Sequence, residues 1–199
     1  MSTIVAVKKN GVAVIGADTM TKFGGIKESA DYLENHSKIV KIGKSCIAYV
    51  GHASFGLVLE SYFARLKSTP RLDSPQNIFK FASQFHNALK DDYFLKPHEN
   101  KNDEFESSQV HCLIANASGI FGLDSLRSVE AYAKFYSFGS GFHLALGAMH
   151  AVYDKVETAE EIARAGLAAA VEFDDCSGLP LELYTIKLKT AKAKNLKRQ

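Results

Sequence analysis

The 199-residue sequence has no tryptophan, four prolines and three cysteines. The cysteines, Cys46, Cys112 and Cys176, are odd in number and far apart, with no CxxC and no paired His-Cys spacing. That argues against a disulfide framework and a structural zinc site, and it fits a reducing, cytoplasmic setting. The seven histidines include no HExxH, so no metal centre is expected. An excess of one charge sign is also lacking. Lysine and arginine number 24 against 22 acidic residues, a formal net charge of +2, so nothing marks nucleic acid as the partner. No apolar run reaches membrane-spanning length, and no basic segment leads into an apolar one at the start. Neither a membrane partner nor a secretory signal is therefore expected. The one locally basic stretch, Lys187 to Arg198, reads as a solvated end.

What is present is ordinary for a globular protein: 46% hydrophobic and 23% charged residues. A chain of this length buries about 70% of its unfolded surface and is short for two domains. The first eighteen residues carry the most information. Thr3–Val7 and Val12–Ile15 are strand-like, and Asn10-Gly11 between them signals a two-residue hairpin turn. The second strand ends on an acid, Asp18. Ahead of the first strand stands Ser2. If Met1 is removed, this one residue holds a hydroxyl nucleophile and, in its α-amine, a base with a pKa of about 7.7–8.0.

Further along, Thr21 to Ser37 is polar and contains Gly24-Gly25. Ile39 to Val50 reads as a second hairpin turning near Gly43-Lys44. Phe55, Leu59, Tyr62, Phe63 and Leu66 then recur at helical spacing. Ser74-Pro75 starts another helix, with Ile78, Phe79, Ala82, Phe85 and Leu89 as its apolar face. Lys96 to Ser108 is a charged loop. Val110–Ala115 and Ile120–Leu123 form a third hairpin around Asn116 to Gly119. Gly139-Ser140-Gly141 precedes a small-residue helix, Thr158 and Glu161 form a capping box for the next, and Leu181–Leu188 is a closing strand. Segregated strands and helices argue for an α+β protein rather than an alternating parallel βαβ fold. The predicted architecture is a four-layer αββα sandwich, two antiparallel sheets between helix layers.

These anchors, the start, Gly16-Ala17-Asp18, Ser37-Lys38-Ile39, Gly139-Ser140-Gly141 and Asp174 to Gly178, occur in one order on one strand and helix pattern. Together they resemble the proteasome β-type subunits and HslV-like peptidases, which are N-terminal nucleophile hydrolases. The resemblance is nearest to the betaproteobacterial proteasome homologue, and it covers residues 1–199 as one domain. It implies that Ser2 is the nucleophile, where the family has threonine, that Asp18 is the acid and Lys38 the catalytic lysine. It places Ala48 where a glycine N–H serves the oxyanion hole, and Ser140, Asp174 and Ser177 around the terminal amine. Thr21, Lys22, Cys46 and Val50 are the implied substrate-binding residues. The Asp18–Lys38 spacing is a few residues longer than usual, so the Thr21–His36 segment is expected to line the mouth of the pocket. The implied partners are identical subunits in stacked double rings, an AAA+ unfoldase and unfolded polypeptides, with no cofactor. Two other readings compete. A non-catalytic ring subunit of the same fold is disfavoured because the strand begins at Thr3, and a small-molecule amidohydrolase because of the short chain.

Overall fold

The structure, a computed structural model, describes residues 2–96 and 104–190. Met1, the middle of the 96–108 segment and the end of the basic stretch lie outside the described residues. The fold begins with β1 (Thr3–Lys9) and β2 (Val12–Asp18), antiparallel with Lys9 opposite Val12. Asn10 and Gly11 close the hairpin with φ of 48° and 75°, the left-handed pair that such a turn needs. The next strands are β3 (Thr21–Phe23) and β4 (Ile26–Glu28), then β5 (Ile39–Ile42) and β6 (Ser45–Val50). Helices α1 (Phe55–Arg65) and α2 (Pro75–Asp91) follow. Four strands come next: β7 (His111–Asn116), β8 (Gly119–Leu123), β9 (Val129–Tyr132) and β10 (Phe135–Gly139). The described chain ends with α3 (Phe142–Val152), α4 (Ala159–Phe173) and β11 (Leu181–Lys187).

One sheet runs β10-β1-β2-β11 and the other β5-β6-β7-β8-β9, all pairings antiparallel. Strand alternation explains the layering. In β1, Ile4 and Ala6 face the second sheet and pack with Ile39, Ala48, Leu113 and Ile120. Val5 and Val7 face the other way, against Ala145, Met149, Ile162 and Leu167 of α3 and α4. In β6, Ile47 and Tyr49 face α1 and α2, packing with Leu59, Phe63, Ile78, Phe81 and Phe85. The result is helices, sheet, sheet, helices, the expected four layers. Both caps predicted for the later helices form. Ser74 accepts the Asn77 N–H, and Thr158 and Glu161 complete their reciprocal box.

Three parts of the sequence behave differently from expectation. Thr21–Ser37 is not all loop, because β3 and β4 make a small separate hairpin there. Strands β9 and β10 also form, joined by a tight turn that carries no glycine, proline or asparagine to announce it. On α2, Phe79 points to solvent, since its neighbour Ile78 occupies the buried face and Phe81 and Phe85 continue it.

Candidate active site

Strands β1 and β2 bring their ends together at one edge of the sandwich, and the site is built there. Asp18, the last residue of β2, is fully buried. Its Oδ1 accepts from the Thr3 N–H and from Lys38 Nζ, each at 2.9 Å. Its Oδ2 accepts from the N–H groups of Met20 and Gly178, each at 3.1 Å. Four donors on one buried carboxylate fix its position and that of the chain on either side. Lys38, just ahead of β5, is buried too and also donates to the Met20 carbonyl at 2.6 Å. Burial pulls its ammonium below the ordinary lysine range, with Asp18 opposing. Burial likewise pushes the Asp18 carboxyl up, against Lys38 and the Thr3 and Gly178 N–H groups.

A second chain of hydrogen bonds holds the start of β1. The Gly141 N–H donates to Thr3 Oγ1 at 3.2 Å, Thr3 Oγ1 lies 2.7 Å from Ser177 Oγ, and Ser177 Oγ donates to Asp174 Oδ2 at 2.6 Å. Since Ser177 spends its only proton on Asp174, Thr3 is the donor to Ser177. Ser140 Oγ donates to the same Asp174 oxygen at 2.8 Å. The Ser140 N–H donates to the Ser2 carbonyl at 2.9 Å, and its hydroxyl oxygen lies 3.4 Å from the same carbonyl. Gly139 is what lets β10 come this close. Its φ is +113°, and a Cβ there would stand 1.8 Å from the Ser2 carbonyl oxygen. The hydroxyl of Thr3 is thus fully committed inside the protein. Ser2, one residue earlier, lies in the wall of a cleft of about 270 Å³ together with Lys38.

The cleft's other walls come from Thr21, Lys22 and Phe23 of β3, from Glu28, Leu33 and His36, and from the end of β6 with the residues after it: Tyr49, Val50, Gly51 and Ala53. The 21–36 segment therefore borders the cleft, although Tyr32 is exposed away from it. Lys22 also pairs with Asp175, tying β3 to the 174–178 turn, and this raises the lysine's pKa and lowers the aspartate's.

Of the expected residues, Ser2, Asp18, Lys38, Ser140, Asp174 and Ser177 come together, and Thr21, Lys22 and Val50 line the cleft. Two do not reach it. Ala48 and Cys46 sit on the inner face of β6, in the core between the sheets. Cys46, Ala48 and Val50 share one face, but only Val50 lies at the strand end where the cleft opens. Gly51 is there instead, and a Cβ on it would meet the Gln109 carbonyl oxygen at 2.9 Å and the Phe55 ring at 3.1 Å. Sequence reading also missed the parts played by Thr3, Met20 and Gly178. Their contributions are backbone groups and a buried hydroxyl, which no motif displays.

Among the described residues, Asp174, Asp175 and Cys176 bring one donor atom each within 4.8 Å of one another. Those groups are already used. Asp174 accepts from two serines, Asp175 pairs with Lys22, and Cys176 Sγ donates to Asp175 at 3.1 Å.

No protein-family model matches the chain. Two solved structures of the Thiobacillus denitrificans protein BPH, one of them in complex with epoxomicin, superpose with TM-scores of 0.91 and 0.89. Both share 46% identity, over 94% of this chain and 99% of theirs. The proteasome subunit beta of Nanoarchaeum equitans is 24% identical over 201 residues, covering 95% of this chain and 94% of that protein. The chain belongs to the proteasome β-type, HslV-like family of N-terminal nucleophile hydrolases. The eukaryotic HslV of Trypanosoma brucei, at 19% identity and a TM-score of 0.64, shows the same fold. For this proteasome-like chain the sandwich architecture and the hydrolase class follow from that membership. No described helix is long and apolar enough to cross a membrane.

Proposed function

We propose that the chain is a catalytic subunit of a self-compartmentalising endopeptidase and that Ser2, once Met1 is gone, is its nucleophile. The observation that carries this is the contrast between neighbours. Thr3 has its hydroxyl locked to Ser177 and Gly141, whereas Ser2 lines the cleft beside Lys38. In the proposed reaction Ser2 Oγ attacks the scissile carbonyl carbon while the α-amine takes the hydroxyl proton. That proton passes to the leaving nitrogen as the C–N bond breaks, leaving an ester on Ser2. Water then cleaves the ester, its proton going to the same amine and on to the regenerated hydroxyl. The positive charge of Lys38 favours the deprotonated states of both Ser2 groups, and Asp18 holds Lys38 in place. The Ser140, Ser177 and Asp174 network orients the residue that carries the amine. The role of oxyanion donor, expected of the Ala48 N–H, we give to Gly51, which stands in the cleft wall with Ser2.

Family membership supports rings of identical subunits stacked in pairs, with the sites facing an inner chamber and an AAA+ unfoldase delivering unfolded polypeptide. Leu57, Phe79 and Phe173 are each more than half exposed on the helices and are apolar surface that such contacts would cover. Three free, buried cysteines support a cytoplasmic location. The test is an epoxyketone, which needs a hydroxyl and a free amine on one residue. Intact mass should show loss of Met1, and peptide mapping should place the adduct on Ser2. Ser2→Ala should abolish turnover and keep the fold. An adduct elsewhere, or none on protein lacking Met1, would refute the assignment.

A further inference from the structure

Ser2 borders a second hollow as well as the cleft. This one measures about 540 Å³ and shares Ser2, Val50 and Gly51 with the first. Its remaining wall is Gln109 and His111 on one side and Tyr136, Phe138 and Phe142 on the other, closed by Gly139 and Ser140. We propose that this hollow receives the residue on the leaving-group side of the scissile bond and selects apolar and aromatic side chains there. The inference rests on the endopeptidase reading above.

Two observations support the direction. The proton for the leaving nitrogen comes from the Ser2 amine, so the leaving segment must lie on the amine's side of the nucleophile. Ser140, whose N–H donates to the Ser2 carbonyl and whose hydroxyl donates to Asp174, lines the second hollow and not the first. Lys38 lines the first and not the second. The acyl half of the substrate then occupies the cleft beside Lys38, and the departing half enters the hollow beside Ser140.

The wall chemistry gives the preference. Among the described residues no Asp, Glu, Lys or Arg lines the hollow, whereas Lys22, Glu28 and Lys38 line the cleft. Tyr136 and Phe138 meet edge to face at 5.2 Å, and the His111 ring lies 5.1 Å from Phe138. These rings offer apolar faces to an incoming side chain, and a charged one would lose its water without gaining a counter-ion. Burial pulls the His111 imidazole below its ordinary range, with Asp124 opposing, and its Nδ1 is buried with no hydrogen-bond partner among the described residues. An unfilled acceptor is tolerated better than an unfilled donor, which places the proton on Nε2. With the Gln109 amide and the hydroxyls of Ser2, Ser140 and Tyr136, His111 gives the hollow uncharged polar groups beside its aromatic rings, suited to the main chain of the departing segment.

The experiment uses internally quenched peptides that share one acyl-side sequence and differ in the residue after the cleaved bond, with cleavage positions mapped by mass spectrometry. Phe and Leu at that position should exceed Asp and Lys in kcat/KM by roughly tenfold or more. Phe142→Ala should bring the ratio to within about threefold, because it removes wall area without touching the buried core clusters. Epoxyketone labelling of Ser2 in that variant separates a lost subsite from a lost fold. An active wild type with a flat preference, the result expected if a neighbouring copy fills the hollow, would overturn the inference alone. So would an unchanged preference in the variant. Absence of both cleavage and adduct in wild-type protein would overturn the endopeptidase reading and this one with it.

Discussion

Replacing Asp18 by Asn is nearly isosteric, yet it should be among the most damaging single changes in this chain. The carboxylate accepts four hydrogen bonds with no exposure to solvent. An amide can accept on one side only. Its NH₂ must face either Thr3 N and Lys38 Nζ or Met20 N and Gly178 N, leaving two donors unsatisfied. Each unsatisfied buried donor costs about 1–3 kcal/mol. Removing one partner of a buried ion pair costs about 3–5 kcal/mol, a figure that overlaps the first. Lys38 has a partial escape, because without Asp18 the burial that lowers its pKa is less opposed and it can give up its proton, so we expect a net loss of about 3–5 kcal/mol rather than the sum. Lys38→Met should cost a similar amount by stranding the carboxylate. In the double variant neither charge remains, and the two losses should fall short of adding by about 1–3 kcal/mol. The assay is denaturant unfolding at one fixed protomer concentration, since assembly contributes to apparent stability. Peptidase rates should fall in all three variants. Additivity within about 0.5 kcal/mol would refute the reasoning, because groups 2.9 Å apart in a dry site cannot be independent. Near-native rates in a correctly assembled Asp18→Asn protein would remove the acid from the catalytic set.

Gly51→Ala is expected to lower kcat by roughly 10²–10³-fold, since its Cβ would drive the strand exit off the Gln109 carbonyl and misalign an oxyanion donor. Ala48→Gly should leave kcat unchanged and cost about 0.5–1 kcal/mol of stability, as a backbone change in a strand interior does; the reverse pattern in steady-state kinetics would return the oxyanion role to Ala48. His111 has its pKa lowered from 6.5, so below that pH the unfolded chain binds a proton that the folded one refuses, and stability should drop as the solution is acidified from pH 6.5. Thermal melts of His111→Gln should show a shallower acid-side loss over that range; parallel curves would mean that the imidazole titrates alike in both states.

The layers of the fold were legible because both faces of β1 and β6 are apolar, and a strand with two buried faces must lie between two other layers. The hairpin turns and the two helix caps were legible because single residue types at fixed offsets produce them. Strands β9 and β10 were not, because what makes β10 a strand is Thr3 to Val7 lying beside it, distant in sequence, with Thr3 opposite Gly139 and Val7 opposite Phe135. The same division runs through the site. Asp18 and Lys38 are readable as charges at the edges of apolar strands, where a charge must find a partner. That the partner is the other one, and that Thr3 N–H and Gly178 N–H share the carboxylate, is decided by packing alone. Ala48 and Cys46 illustrate the limit from the other side. Alternation correctly groups them with Val50 on one face of β6, but it says nothing of where along the strand that face stops being core and becomes cleft wall. The position of Phe55 and of the Gln109 carbonyl decides that boundary at Gly51, and both arrive from other elements. A candidate nucleophile just ahead of the central hairpin of a sheet can therefore be named from sequence, whereas the groups proposed to receive the negative charge are fixed only when β6, α1 and the approach to β7 converge beside it.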